Sequence, residues 1–169
     1  LSFEKLRELL PDYEEYGGLF LTAEQAIEQA SAKTLLVVVD THRVFLTAAP
    51  KLIEKVDRRV VIDHHRRSED FIPGPMIVYL EPSASSTSEL VTELLPYFDD
   101  KIELTRLEAS ALFAEVVVDT KNFAVQTGVR TFEAAAYLRR SGADPAIVRH
   151  LFQVDMEYLK LPAAILAGS

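Results

Sequence analysis

Val60-Val61-Ile62 runs straight into Asp63-His64-His65-Arg66-Arg67. Three β-branched apolar residues give way to a carboxylate, two imidazoles and two guanidiniums, groups that bind metal ions and phosphate. Adjacent side chains at a strand end point to different sides, so one histidine can face a metal while the other meets a substrate. Two surface histidines are the bland alternative. With only four histidines in 169 residues, a pair directly after a buried-looking run favours function. Two further carboxylates end apolar elements. Asp40 follows Thr34-Leu35-Leu36-Val37-Val38-Val39, and Asp119 shares a helical face with Leu112 and Val116. Asp40 or Asp63 taken alone reads equally well as a turn residue or a helix cap. Asp119 on an apolar stripe is more demanding, because an unpaired buried charge costs roughly several kcal/mol and calls for a cation, an arginine or a cap. Carboxylates and imidazoles without thiolates suit Mn²⁺ or Mg²⁺. Two such ions can activate a water and clamp the oxygens of a phosphoryl displacement.

Other residues suit an anionic substrate. Arg66 and Arg67 are either a solvated pair or a bidentate match for phosphate oxygens. Ser85, Ser86 and Thr87 read first as cap and turn residues, with a phosphate at that helix N-terminus as the functional alternative. His42 is balanced between a surface residue and a substrate contact. Lys121-Asn122-Phe123 is a helix-end loop, or through Phe123 a wall for a base. His150, on an amphipathic helix, reads as structural.

These residues need a scaffold. The runs 34–39, 60–62 and 76–80 predict strands, the first continuous enough to suit a sheet covered on both faces. About 20 residues separate the first two, with a short helix over 50–56, which is a βαβ crossover and predicts an α/β fold with a parallel sheet. Ligands in such sheets bind beyond the carboxyl ends of the strands, where Asp40 and Asp63 stand. Capping boxes at Thr22/Gln25, Ser86/Glu89 and Thr105/Glu108 predict three helix starts. Pro96 is expected to bend or end the second of these helices. A helix over 131–140 is expected to bury Phe132, Ala135, Ala136 and Leu138 and to stop at Gly142. Asp144-Pro145 is expected to open a short helix. Helical spacing over 1–10, a short strand over 19–21 and a last helix over 155–167 complete the expectations.

Composition limits the function. The net charge of −8 argues against a general nucleic-acid binder, so duplex DNA or RNA is not the expected partner. A small anion remains open, since local positive charge can outweigh the net sign. The 49% apolar content suffices for one sizeable core, and the absence of cysteine excludes disulfides and thiolate metal sites. No apolar run is long enough to span a membrane.

Val39-Asp40, Asp63-His64-His65, Ala84-Ser85-Ser86 and Val118-Asp119 resemble motifs two to four of the DHH phosphoesterase superfamily. Asp40-Thr41-His42-Arg43, Asp63 to Arg67, Glu81 to Glu89, Asp119 to Phe123 and Arg130 to Ala135 resemble its GdpP-type members more closely. The resemblance spans roughly Thr34 to Asp144. It implies a parallel-sheet DHH domain with helices on both faces over residues 1–153, and a helical linker over 154–169 toward a DHHA1 domain. It implies hydrolysis of cyclic di-AMP to pApA with two Mn²⁺ ions. Asp40, His64 and Asp119 would be metal ligands. Asp63 would be a ligand's supporting partner or a catalytic acid/base, and His65 would meet the scissile phosphate. Arg66, Arg67, Ser85, Ser86 and His42 are the candidate substrate contacts. The family's first motif, a His followed by Asp-x-Asp, occurs nowhere in the chain, and neither does the DHHA1 glycine-rich motif. The expectation is therefore a piece of a longer protein, whose parent carries membrane helices and works at the cytoplasmic face of the cell membrane. A homodimer is open. The alternatives are an oligoribonuclease or nucleotidase of the same superfamily, or a folded core without activity of its own.

Overall fold

The computed structural model describes residues 16, 18–99 and 101–151. The helices expected over 1–10 and 155–167 lie outside them, as does the linker.

Three strands form one parallel sheet in the order β1 (Leu35–Val39), β2 (Arg58–Asp63), β3 (Ile77–Leu80). The register pairs Val39 with Ile62, and Asp63 with Leu80. Two further bonds carry the ladder past the strand ends: Asp40 N–H donates to the Ile62 carbonyl and Glu81 N–H to that of Asp63. Asp40, Asp63 and Glu81 are thereby brought side by side at the carboxyl end of the sheet. Helix α1 (Ala23–Gln29) opens with both halves of the Thr22/Gln25 capping box. Helix α2 (Pro50–Lys55) lies in the β1–β2 crossover, with proline at its start where the missing N–H is harmless.

Side-chain alternation along β2 sends Val61 to one face and Ile62 to the other. Val61 packs with Val38, Ile53 of α2 and Ile72; Ile62 packs with Ala84 and with Leu90 of α3 (Thr87–Phe98). Helices therefore cover both faces at β2. Val61 and Leu90 are fully buried, each contributing about 1.5–3 kcal/mol. Cover is thinner at β1, where Leu35, Val37 and Val39 are 49%, 44% and 49% exposed. Residues 19–21 form no strand.

Helix α3 runs through Pro96 to Phe98. The proline sits near the helix end, where one lost bond is tolerated. Only half of its expected capping box exists: Ser86 accepts from Glu89 N–H, but the Glu89 carboxylate turns elsewhere. Helix α4 (Arg106–Asp119) has the complete Thr105/Glu108 box and buries Ala109 and Val116. It packs on α5 (Val129–Arg140), which begins at Val129, with Gly128 as N-cap, rather than at Thr131. The buried face of α5 is Thr131, Ala134, Ala135 and Leu138, at helical spacing; Phe132 and Ala136 face outward, contrary to the expectation. The polar Thr131 takes the inner position because its hydroxyl reaches Glu89, a bond no apolar residue could make. Gly142, at φ +100°, ends α5 in the left-handed conformation that glycine adopts without penalty. Asp144 accepts from Ala146 N–H and caps the next turn.

Candidate metal centre

The carboxyl end of the sheet and the C-terminus of α4 meet in a cleft of about 430 Å³ lined by Asp40, His64, His65, Arg66, Asp119 and Gln126, among others. Asp40 leaves β1 at φ 63°, a left-handed conformation that aspartate tolerates better than most residues. Its Oδ1 accepts from the Thr87 hydroxyl at 3.0 Å, so the first turn of α3 fixes its direction. His64 Nε2 lies 3.6 Å from Asp40 Oδ1 and 3.5 Å from Asp119 Oδ2. Those separations exceed hydrogen-bond length. They match donors sharing one ion, which at about 2.1 Å from a small divalent cation stand roughly 3–4 Å apart. Three expected ligands from three different elements, Asp40, His64 and Asp119, therefore converge.

A fourth donor is present that the sequence reading did not single out. Glu115 sits one helical turn before Asp119, on the same face of α4. Its Oε2 accepts from Ser88 Oγ at 2.6 Å, while Oε1 is buried without a hydrogen-bond partner among the described residues. Donor atoms of Asp40, Glu115 and Asp119 lie within 4.8 Å of one another, as do those of Asp40, His64 and His65. Asp40 belongs to both sets. Burial pushes the Glu115 carboxyl up, the Ser88 bond opposing and the charges of Asp40 and Asp119 adding to it. Burial likewise raises Asp119, against the pull of His64 and with the push of Asp40. Crowded carboxylates and an orphaned buried oxygen fit a divalent cation, and the donors are all oxygen or imidazole nitrogen, as Mn²⁺ or Mg²⁺ prefers.

Asp63 is placed differently. It is fully buried, with both oxygens engaged. Oδ1 accepts from His65 N–H at 3.1 Å and from His65 Nδ1 at 2.7 Å; Oδ2 lies 2.6 Å from His42 Nδ1. His42 Nε2 accepts from Ser68 N–H at 3.0 Å, so the proton of His42 resides on Nδ1 and is donated to Asp63. Asp63 therefore supports His65, not His64. Burial alone would raise its carboxyl, but the bonds from His65 and His42 hold it below the usual aspartate range. His65 responds in the opposite sense: burial would lower it, but the bond and charge of Asp63, with Asp40 and Asp119 behind, hold it above the usual histidine range.

The expected substrate contacts divide. Arg66 lines the cleft, whereas the Arg67 guanidinium lies 4.6 Å over the Phe71 ring. His42 is 1% exposed, has both ring nitrogens engaged and stacks on Phe71, so it is a buried support rather than a surface contact. Ser85 and Ser86 are fully buried. Ser85 donates to Glu89 Oε2 at 2.5 Å and Ser86 caps α3, so both hydroxyls serve the loop rather than a ligand. Glu89 also accepts from Thr131, and neighbouring Arg130 holds Glu93 at 2.7 and 2.5 Å. This network, buried at Glu89 and Thr131, ties α5 to the start of α3 and so to Thr87, the partner of Asp40. After Asp119, residues Lys121, Asn122 and Phe123 have φ of 49°, 60° and 63°. That left-handed turn is held by Asn122 N–H to the Val117 carbonyl and Phe123 N–H to Thr120 Oγ1. Phe123 stacks on the exposed Phe132 at 5.7 Å between ring centres.

The DHH family, N-terminal domain, matches residues 3–117. The chain is 47% identical over 160 residues, 94% of its length, to the cyclic-di-AMP phosphodiesterase GdpP of Bacillus subtilis, of which it covers 24%. It is 50% identical over 158 residues to the protein of the same name from Geobacillus thermodenitrificans, covering 93% of this chain and 24% of that one. The chain thus spans about a quarter of the length of these curated relatives. An exopolyphosphatase-related protein from Bacteroides fragilis shares the fold with a TM-score of 0.61 at 21% identity, over 85% of this chain and 40% of that one.

Proposed function

The chain belongs to the DHH family, and from that premise we propose that it is the DHH portion of a manganese-dependent phosphodiesterase that hydrolyses cyclic di-AMP to pApA. The observation that carries the reading is the convergence of Asp40, His64 and Asp119 in a cleft that also contains His65 and Arg66. The similarity to proteins named cyclic-di-AMP phosphodiesterases selects the substrate from among phosphoesters.

Asp40, His64 and Asp119 would hold the ions. A divalent cation there supplies charge for the phosphoryl oxygens and acidifies water. The chain's own residues do the rest. Asp63, anchored by His42, fixes the His65 ring through Nδ1 and keeps it protonated at higher pH than a free histidine. His65 thus presents an oriented donor toward the phosphate. Arg66 neutralises a further phosphate oxygen. Asp63 acts as a positioning residue, since burial denies it contact with the reacting atoms. Residues 1–153 form the DHH domain and 154–169 lead toward a DHHA1 domain in the parent protein, which acts at the cytoplasmic face of the membrane.

The test uses the full-length protein carrying this chain. With Mn²⁺ it should cleave cyclic di-AMP to pApA faster than it cleaves linear dinucleotides, and Asp63→Ala should abolish the reaction. A preference for linear dinucleotides would move the assignment to the oligoribonuclease-like branch; full activity in Asp63→Ala would remove Asp63 from its role.

A further inference from the structure

We propose that Glu115 is an additional metal-binding residue, donating Oε1 to the ion position shared by Asp40 and Asp119. The inference rests on the metal reading of the cleft given above and extends its donor set by one carboxylate.

Three observations carry it. First, Glu115 and Asp119 are spaced one turn apart on α4, so the helix itself aims both carboxylates the same way. Second, the Ser88 hydroxyl holds Oε2 at 2.6 Å, while Oε1 is buried with no hydrogen-bond partner among the described residues. An unsatisfied buried carboxylate oxygen is costly, and such groups ordinarily find a partner. Third, a Glu115 carboxylate oxygen lies within 4.8 Å of carboxylate oxygens of both Asp40 and Asp119. Two carboxylates cannot satisfy a third, because all are acceptors when ionised. A divalent cation satisfies all three at once. If Glu115 served only to receive the Ser88 bond, the carboxylate would need no place beside the acidic pair.

Glu115→Gln distinguishes the roles, because glutamine is nearly isosteric and its amide oxygen still accepts from Ser88. Titration calorimetry with MnCl₂ on this chain should show affinity about 10-fold or more below wild type. The metal-free melting temperature should be unchanged or higher, since a crowded charge has been removed. Glu115→Asp keeps the charge but draws it back by one methylene; it too should lose about 10-fold if Oε1 is a ligand. This second variant decides the matter if the first does not fold. Mn²⁺ affinity within twofold of wild type in either folded variant overturns the inference. If the wild-type chain binds Mn²⁺ and Glu115→Gln binds it equally, only this inference fails. If the wild-type chain binds no Mn²⁺, the metal reading fails with it.

Discussion

Two clusters of ionisable groups stand a few residues apart at the end of the sheet, and they are built on opposite principles. In the first, Asp63 is fully buried but every polar atom has a partner: His65 on one oxygen, His42 on the other, and Ser68 behind His42. In the second, Asp40, Glu115 and Asp119 crowd together, with His64 3.5 Å away as the nearest base, and one oxygen of Glu115 has nothing. Burial pushes all three carboxyls up, yet Asp63 ends below its ordinary range while Asp119 and Glu115 end above theirs. Hydrogen-bond donors make the difference. The first cluster is satisfied by the chain's own groups and serves both the fold and the orientation of His65. The second, on the proposed reading, is completed by a cation.

The contrast can be broken at several points. The largest effect is expected from Asp63→Ala, which leaves His42 and His65 without their shared acceptor. Urea denaturation should show a loss of about 3–5 kcal/mol, with or without Mn²⁺, since a buried charge network loses its centre. Next comes Asp119→Asn. Its metal-free stability should hold or rise, but the stabilisation by Mn²⁺ should vanish. For the wild-type chain that stabilisation is about 2.7 kcal/mol at a free Mn²⁺ concentration 100 times the dissociation constant. If Asp119→Asn instead behaves like Asp63→Ala, the distinction between the clusters collapses.

A smaller effect is expected from pH. The Asp63 carboxyl lies below its unfolded value, so its contribution is present above the ordinary aspartate range and is lost as pH falls through the depressed folded value. Acid titration of metal-free stability should therefore show a downward step in wild type that is reduced in Asp63→Asn. Glu115 has the opposite sign: its folded value is raised, so stability declines as pH climbs from the ordinary glutamate range through that raised value. Glu115→Gln should flatten that decline. The smallest structural effect is expected from Arg66→Ala. It is exposed, so stability should change by less than about 0.5 kcal/mol, while the Michaelis constant of the full-length protein for cyclic di-AMP should rise.

Much of this arrangement is legible in the residues alone, for physical reasons. Runs of β-branched residues ending in Asp40 and Asp63 mark strand ends, and parallel sheets place their sites there. Thr22/Gln25 and Thr105/Glu108 mark helix starts because the reciprocal bonds they form depend on local spacing. What depends on distant partners is not legible. Nothing local to Thr41-His42-Arg43 reveals that His42 turns inward to a carboxylate 21 residues away. The Ser86/Glu89 pattern has the right spacing, but Thr131 and Ser85 compete for the Glu89 carboxylate and win it. That same bond rotates α5 and leaves Phe132 54% exposed, where apolarity alone would bury it. Glu115 is an intermediate case. Its spacing from Asp119 is visible in Glu115-Val116-Val117-Val118-Asp119, but only the approach of Ser88 and Asp40 shows where the carboxylate goes.

The central claim is that the crowded cluster is a metal centre and the satisfied one is not. Anomalous diffraction at the manganese edge, from crystals of this chain soaked in MnCl₂, addresses it directly. A peak is predicted among Asp40, His64 and Asp119, with none beside Asp63 and His42. Saturated crystals with no peak at the three ligands, or with the ion seated on Asp63, would contradict the account.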